Sequence, residues 1–246
     1  MILEFADENS KMSFQRASQA RWNEITAVFG GRFDPPHLGH REAVRGLFKF
    51  PAVKQVLVMP SGSAPHKPTL ATGAQRAQMA KLAFGDLPFD LLPAEIRFDL
   101  SELDRAKQNP NVPTYSFDTI NELRTVYPQL AFVLGADQLA ALPTWHRFPE
   151  LLTLCHWIVL ERKPQGSELA RQTLQEWETS GLVKAKGPHT WESIKSGFLI
   201  QIVPTEAKDV SSTQIRESIA RTGEPPADSL LPEVLAYLKE QRLYGV

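Results

Sequence analysis

His37 and His40 stand three residues apart in the string Gly30-Gly31-Arg32-Phe33-Asp34-Pro35-Pro36-His37-Leu38-Gly39-His40. At that spacing both imidazoles share one face of a first helical turn and can donate hydrogen bonds to one anion. Gly30 and Gly31 let the backbone turn sharply and approach a ligand with no Cβ in the way. Gly39 leaves room for a flat group against the backbone. A helix start adds N–H donors and the positive end of a dipole. This chemistry suits a polyphosphate. A zinc site is disfavoured, because the chain has one cysteine and no His-Glu-x-x-His string to complete the ligand set. There is no G-x-x-x-x-G-K-[ST] string, and no G-x-G-x-x-G follows the first strand, so two common phosphate motifs are excluded.

A second anion-binding set lies far along the chain, in Asp209-Val210-Ser211-Ser212-Thr213-Gln214-Ile215-Arg216-Glu217. Ser211 or Ser212 suits a helix N-cap. The hydroxyls of Ser212 and Thr213 and the planar fork of Arg216, one turn in, can grip phosphate oxygens. Three further segments carry polar, basic and aromatic groups suited to a site, and the first, with its glycine, small hydroxyls, histidine and lysine, suits a phosphorylated substrate. Pro60–Lys67 holds Ser61, Gly62, His66 and Lys67. Pro113–Thr119 holds Tyr115 and Ser116. Leu134–Phe148 holds Gly135, Asp137 and Trp145.

The elements that must position these groups alternate in type. Strands are expected at Ile25–Phe29, Gln55–Met59, Phe89–Leu92, Leu130–Leu134, Trp157–Leu160 and Phe198–Val203. Helices are expected at Leu38–Lys49, Ala74–Phe84, Ser116–Tyr127, Leu169–Trp177, Ser212–Arg221 and Pro232–Gln241. Asp99–Thr114 reads as a long polar loop. The alternation predicts an α/β fold: a Rossmann-like, doubly wound, mainly parallel sheet of five to six strands with helices on both faces. A C-terminal helical segment begins at about residue 211. Residues 1–24 read as a polar arm and 25–246 as one domain. Ligands of such sheets bind beyond the carboxyl ends of the strands, so the loops after strands one, two, four and five are the expected site.

Of the 246 residues, 42% are hydrophobic and 22% charged, with net charge −1, which argues against a bulk nucleic-acid binder. Cys155, among apolar neighbours, reads as a buried small hydrophobe. No basic-then-apolar leader and no apolar run near ~20 residues is present, so neither export nor a membrane is expected and a cytoplasmic setting is. The sequence leaves homo-oligomer formation open.

His37-Leu38-Gly39-His40 resembles the HxGH signature of the nucleotidyltransferase superfamily. With Ser212-Thr213-x-Ile215-Arg216 and the Gly135-Ala136-Asp137 to Trp145 stretch, residues 25–244 resemble bacterial nicotinate-nucleotide adenylyltransferases. The resemblance implies transfer of AMP from ATP to nicotinate mononucleotide, with Mg²⁺ held mainly by ATP phosphates. It implies ATP contacts at Gly30, Gly31, Phe33, His37, Gly39, His40, Gly135, Asp137, Ser212, Thr213 and Arg216, of which His37, His40 and Arg216 are catalytic. It implies acceptor contacts at Ser61, Gly62, His66, Lys67, Tyr115, Ser116 and Trp145, whose ring would stack on nicotinate. A basic contact after strand five falls on Arg162 or Lys163. Asp34 reads as a loop organiser rather than a base. Arg32 departs from the usual small residue; it either points to solvent or adds a cation to the triphosphate site. Nicotinamide mononucleotide or phosphopantetheine as acceptor, and a non-catalytic nucleotide binder, stay open as alternatives.

Overall fold

Ile25–Gly31 forms the first strand, β1, whose Ala27 and Phe29 enter one core while Val28 enters another. Burial on both faces is what a central strand of a parallel sheet requires. The computed structural model describes residue 22 and residues 24–62, 69–85, 87, 95–162, 165–206 and 210–246, with backbone alone at 162 and 165–167. Nearly all of the expected arm, the expected strand at Phe89–Leu92, and His66, Lys67 and Lys163 lie outside the described residues.

After β1 come α1 (Leu38–Phe48), β2 (Val53–Pro60), α2 (Gly73–Phe84), β3 (Glu95–Phe98), α3 (Ser101–Gln108), α4 (Ser116–Val126), β4 (Leu130–Gly135) and α5 (Ala136–Ala141). Then follow β5 (His156–Arg162), α6 (Gln165–Thr179), β6 (Val183–Gly187), β7 (Thr190–Ser193), β8 (Leu199–Thr205), α7 (Ser212–Thr222) and α8 (Pro232–Glu240). The strands form one sheet in the order β3-β2-β1-β4-β5-β8-β7-β6. Pairing is parallel from β3 through to β8, and β7 and β6 close the far edge as an antiparallel hairpin. Strand order reverses between β1 and β4, so a crevice is expected outside their carboxyl ends.

The α/β, mainly parallel expectation holds, with two corrections. Among the described residues the sheet has eight strands rather than five to six. Three of the eight, β3, β6 and β7, have no counterpart among the expected strands. β6 is one-sided, with Lys184 and Lys186 exposed, so its apolar alternation is too weak to read; the same lysines blunt the open edge. The second correction concerns Asp99–Thr114, which contains helix α3 rather than a plain loop. Its only buried residue is Glu102, so no apolar stripe announces it.

The sheet separates two cores. One packs Val44 and Leu47 of α1, Met79 of α2, Ile215 and Ile219 of α7, and Val234 and Leu238 of α8 against it. The other holds Phe117 and Ile120 of α4, Leu139 of α5, and Leu174 and Trp177 of α6. Cys155 is buried in the second core, and burial pushes its thiol up to about 12, in keeping with a packing role. No helix among the described residues is long and apolar enough to cross a membrane.

Candidate active site

The loop between β1 and α1 is held from three sides. Arg76 of α2, itself buried, donates to the Arg32 carbonyl at 2.8 Å. Arg216 of α7 donates to the Asp34 carbonyl at 2.7 Å, and the Ser212 hydroxyl donates to the Pro35 carbonyl at 2.8 Å. A carbonyl and the next amide point in opposite directions across a planar peptide. The Arg76 contact therefore turns the Phe33 N–H away from α2. The Phe33 ring is buried between Phe29 and Phe84 and edges onto His40. Its ring is thus core, and any ligand contact falls to its backbone. Gly31 is required by that ring, because a Cβ there would lie 2.8 Å from Phe33 Cε1. At Gly30 a Cβ would meet only an ordinary 3.7 Å contact.

His37 is the N-cap of α1. Its Nδ1 accepts the His40 amide at 3.3 Å, and the Nδ1 of His40 accepts the His37 amide at 3.2 Å. This is a capping box made of imidazoles. It assigns both Nδ1 atoms as acceptors, so a neutral ring carries its proton on Nε2. The rings stack with centroids 3.6 Å apart. The Leu38 amide is taken by the Ser229 carbonyl at 2.9 Å. The amides of His37, Leu38 and His40 at this helix end are therefore all occupied.

At the second clamp the N-cap is Ser211, whose Oγ accepts the Gln214 amide at 3.1 Å, with Gln214 Oε1 returning the bond to Ser211 N. That leaves Ser212 for the Pro35 carbonyl, while Arg216 also donates to Thr213 Oγ1 at 3.2 Å. The structure thus brings the start of α7 against the residues that precede His37. Arg32 is half-buried; burial and the Arg216 charge lower its pKa, and Asp34 opposes them.

Asp34 is almost fully buried and accepts three hydrogen bonds: from the Leu70 and Ala71 amides at 2.9 and 3.1 Å and from the Tyr244 hydroxyl at 2.6 Å. A carboxylate so engaged organises the loop. Burial, then this bond, pushes the Tyr244 phenol upward.

The Ser61 amide donates to the Gly31 carbonyl at 2.8 Å, which ties the loop after β2 to the first glycine loop. The Gly62 amide is taken by Glu102 at 3.1 Å, so it is not a ligand donor in this state. Tyr115 opens α4, which has no side-chain cap, and its ring stacks on His146 at 4.3 Å. Arg147 lies over the Phe117 ring, 4.0 Å from its centroid. Trp145 is half-buried and meets Phe132 edge-on, so it is not a core tryptophan. A Cβ on Gly135 would collide with the Asp137 carboxylate at 2.6 Å, so these two sit folded together at the end of β4. Arg162 ends β5, with its backbone alone described.

The cytidylyltransferase-like family model matches residues 28–218. The probable nicotinate-nucleotide adenylyltransferase of Klebsiella pneumoniae subsp. pneumoniae is 34% identical over 227 residues, covering 90% of this chain and 97% of that protein. The nicotinate-nucleotide adenylyltransferase of Salmonella typhimurium is 34% identical over 225 residues, covering 89% and 98%. This chain belongs to the nicotinate-nucleotide adenylyltransferase family. The fold of the Plasmodium falciparum nicotinic acid mononucleotide adenylyltransferase complexed with NaAD is similar, with a TM-score of 0.67 at 15% identity over 90% of this chain and 97% of that one.

For a nicotinate-nucleotide adenylyltransferase family member, the local motifs point to His37, His40 and Arg216. They do not point to Arg76, Glu102, His146 or Tyr244. Those four act across the fold, and their neighbours in sequence carry no signal of it.

Proposed function

We propose that this chain transfers AMP from ATP to nicotinate mononucleotide, giving nicotinate adenine dinucleotide and pyrophosphate. The observation that carries the reading is the contact of the α7 start with the β1–α1 loop, through Arg216 on the Asp34 carbonyl and Ser212 on that of Pro35. One triphosphate can then be reached by the His37 and His40 Nε2–H groups and by the Arg216 guanidinium. An oxygen of the mononucleotide phosphate attacks the α-phosphorus in line, and the bond to the β-phosphate breaks with pyrophosphate leaving. That phosphate is largely ionised near neutrality, with a second pKa of about 6, so no strong base is needed. Positioning and charge stabilisation supply the catalysis. We take Arg32 as a further cation at the triphosphate site.

Reactions of this kind on ATP use a divalent metal, and we take it as Mg²⁺. Among the described residues no three His, Cys, Asp or Glu side chains form a metal cage. The imidazole and guanidinium donors suit phosphate oxygens instead, which fits a cation held by phosphates and water. When bound, it neutralises phosphate charge. On the acceptor side, the uncapped start of α4 at Tyr115-Ser116 suits the pyridine carboxylate, and half-buried Trp145 suits the ring. We take His66 and Lys67 as contacts to phosphate; in support, Leu70 and Ala71, which follow them in the chain, donate to Asp34 of the β1–α1 loop. The reading sets the enzyme in the cytoplasm.

Initial rates of pyrophosphate release from ATP test this with nicotinate mononucleotide, nicotinamide mononucleotide and phosphopantetheine side by side. The highest kcat/KM is expected with the first. ATP binding with no release for any acceptor overturns the enzymatic reading.

A further inference from the structure

Helix α3 has a single buried side chain, and it is a carboxylate. Glu102 Oε2 accepts the Gly62 amide at 3.1 Å and, at the long limit of 3.5 Å, the Thr114 hydroxyl. Its Oε1 accepts the hydroxyl of fully buried Thr119 at 2.7 Å. Thr119 Oγ1 in turn accepts from Arg105 at 2.5 Å, and Arg105 pairs with Glu122. Three donors from the β2 loop, the approach to α4 and α4 itself converge on one group. An ionised carboxylate is the side chain that only accepts, so it serves all three together.

The packing is close as well as polar. A Cβ on Gly62 would lie 2.4 Å from the Glu102 carbonyl and 2.8 Å from Thr114 Cγ2, so the Ser61-Gly62 turn lies flush against α3 and the approach to α4. The same turn holds the Gly31 carbonyl through the Ser61 amide. The Ser61 hydroxyl is buried with no hydrogen-bond partner among the described residues.

We infer that Glu102 is a positioning residue for the mononucleotide acceptor, locking the Ser61-Gly62 turn to the first turn of α4. The two walls of the acceptor site are then set before substrate enters, and orientation needs no rearrangement. The polar α3 segment is thus a strut rather than a lid. This rests on the reading that Ser61-Gly62 and Tyr115-Ser116 hold the acceptor.

Steady-state kinetics of the full chain with Glu102→Ala, Glu102→Gln and Thr119→Val test it. Glu102→Ala is expected to raise the KM for nicotinate mononucleotide about tenfold and to leave the KM for ATP within about twofold. Glu102→Gln is expected to restore the acceptor KM. Its Oε1 can take the Gly62 amide while its NH₂ donates to Thr119, whose hydroxyl then turns to the Tyr115 carbonyl, 3.3 Å away. If the alanine variant does not fold, Thr119→Val, which is close to isosteric, is expected to show the same one-sided rise in smaller measure. Equal changes in both KM values, or no change in either, overturn the role of Glu102. Absence of pyrophosphate release by the unaltered chain with nicotinate mononucleotide instead overturns the reading beneath it.

Discussion

The Nδ1 lone pairs of His37 and His40 accept each other's backbone amides, so the helix cap is built from two residues proposed to bind the triphosphate. In a neutral ring the cap leaves the proton on Nε2, the atom proposed above to donate to phosphate. Replacing His40 with alanine removes one donor and one half of the cap. We expect kcat to fall about 10²–10³-fold, the usual loss for a charge-stabilising donor, while circular dichroism at room temperature stays as in the parent. Turnover close to normal would remove His40 from the chemistry. The string around these residues was legible because each member acts within a few positions of the next. Phe33 was the exception: its place in the motif suggested ligand contact, and its ring is buried in the core.

Helices α1 and α7 belong to the same core, and their starts meet at the β1–α1 loop. Ile215 and Ile219, buried at the spacing of one helical turn, press α7 onto the sheet and so fix where Arg216 points. Its guanidinium then spans the Asp34 carbonyl and Thr213 Oγ1. A lysine there keeps the charge but cannot bridge two acceptors with a planar fork. Arg216→Lys is expected to lower kcat/KM about 10- to 100-fold with an unchanged thermal midpoint, read by rates and calorimetry. Equal kcat/KM for the two proteins would leave Arg216 with no directional role. At this scale the sequence was readable wherever an apolar stripe recurs, as in α1, α4 and α7. It was silent where an element is polar and held by one buried group, as in α3, or lies at an exposed edge, as in β6.

Across the whole molecule, stability also depends on groups remote from the site. His156 opens β5, buried beneath Trp22 and Phe198, and its Nδ1 accepts the Leu199 amide at 3.0 Å. Burial lowers its pKa from 6.5 to about 4. The unfolded chain therefore takes up a proton below pH 6.5 that the fold refuses until about pH 4. Stability contributed by the neutral ring is full above the unfolded value and falls through that window as pH drops, by about 3 kcal/mol in all. Denaturant midpoints at pH 7 and 4.5 check this: the parent is expected to lose stability, and His156→Gln, which cannot titrate, to show a shallower drop. An identical slope in both would place the acid sensitivity elsewhere.

The sequence by itself determined what is local: the glycine loop, the paired histidines, the capped helix carrying Arg216, and the alternation that makes a parallel sheet. Spacing along a chain dictates which side chains share a turn or a strand face, and those motifs needed nothing more. Only the tertiary structure decided that Ser212 reaches Pro35 across 177 positions and Tyr244 reaches Asp34 across 210. It likewise decided that Glu102 joins the turn after β2 to α4 and that the Gly62 amide is already taken. Such meetings are set by which helix faces bury together on each side of the sheet. That is a property of the packed whole, which no window of neighbouring residues contains.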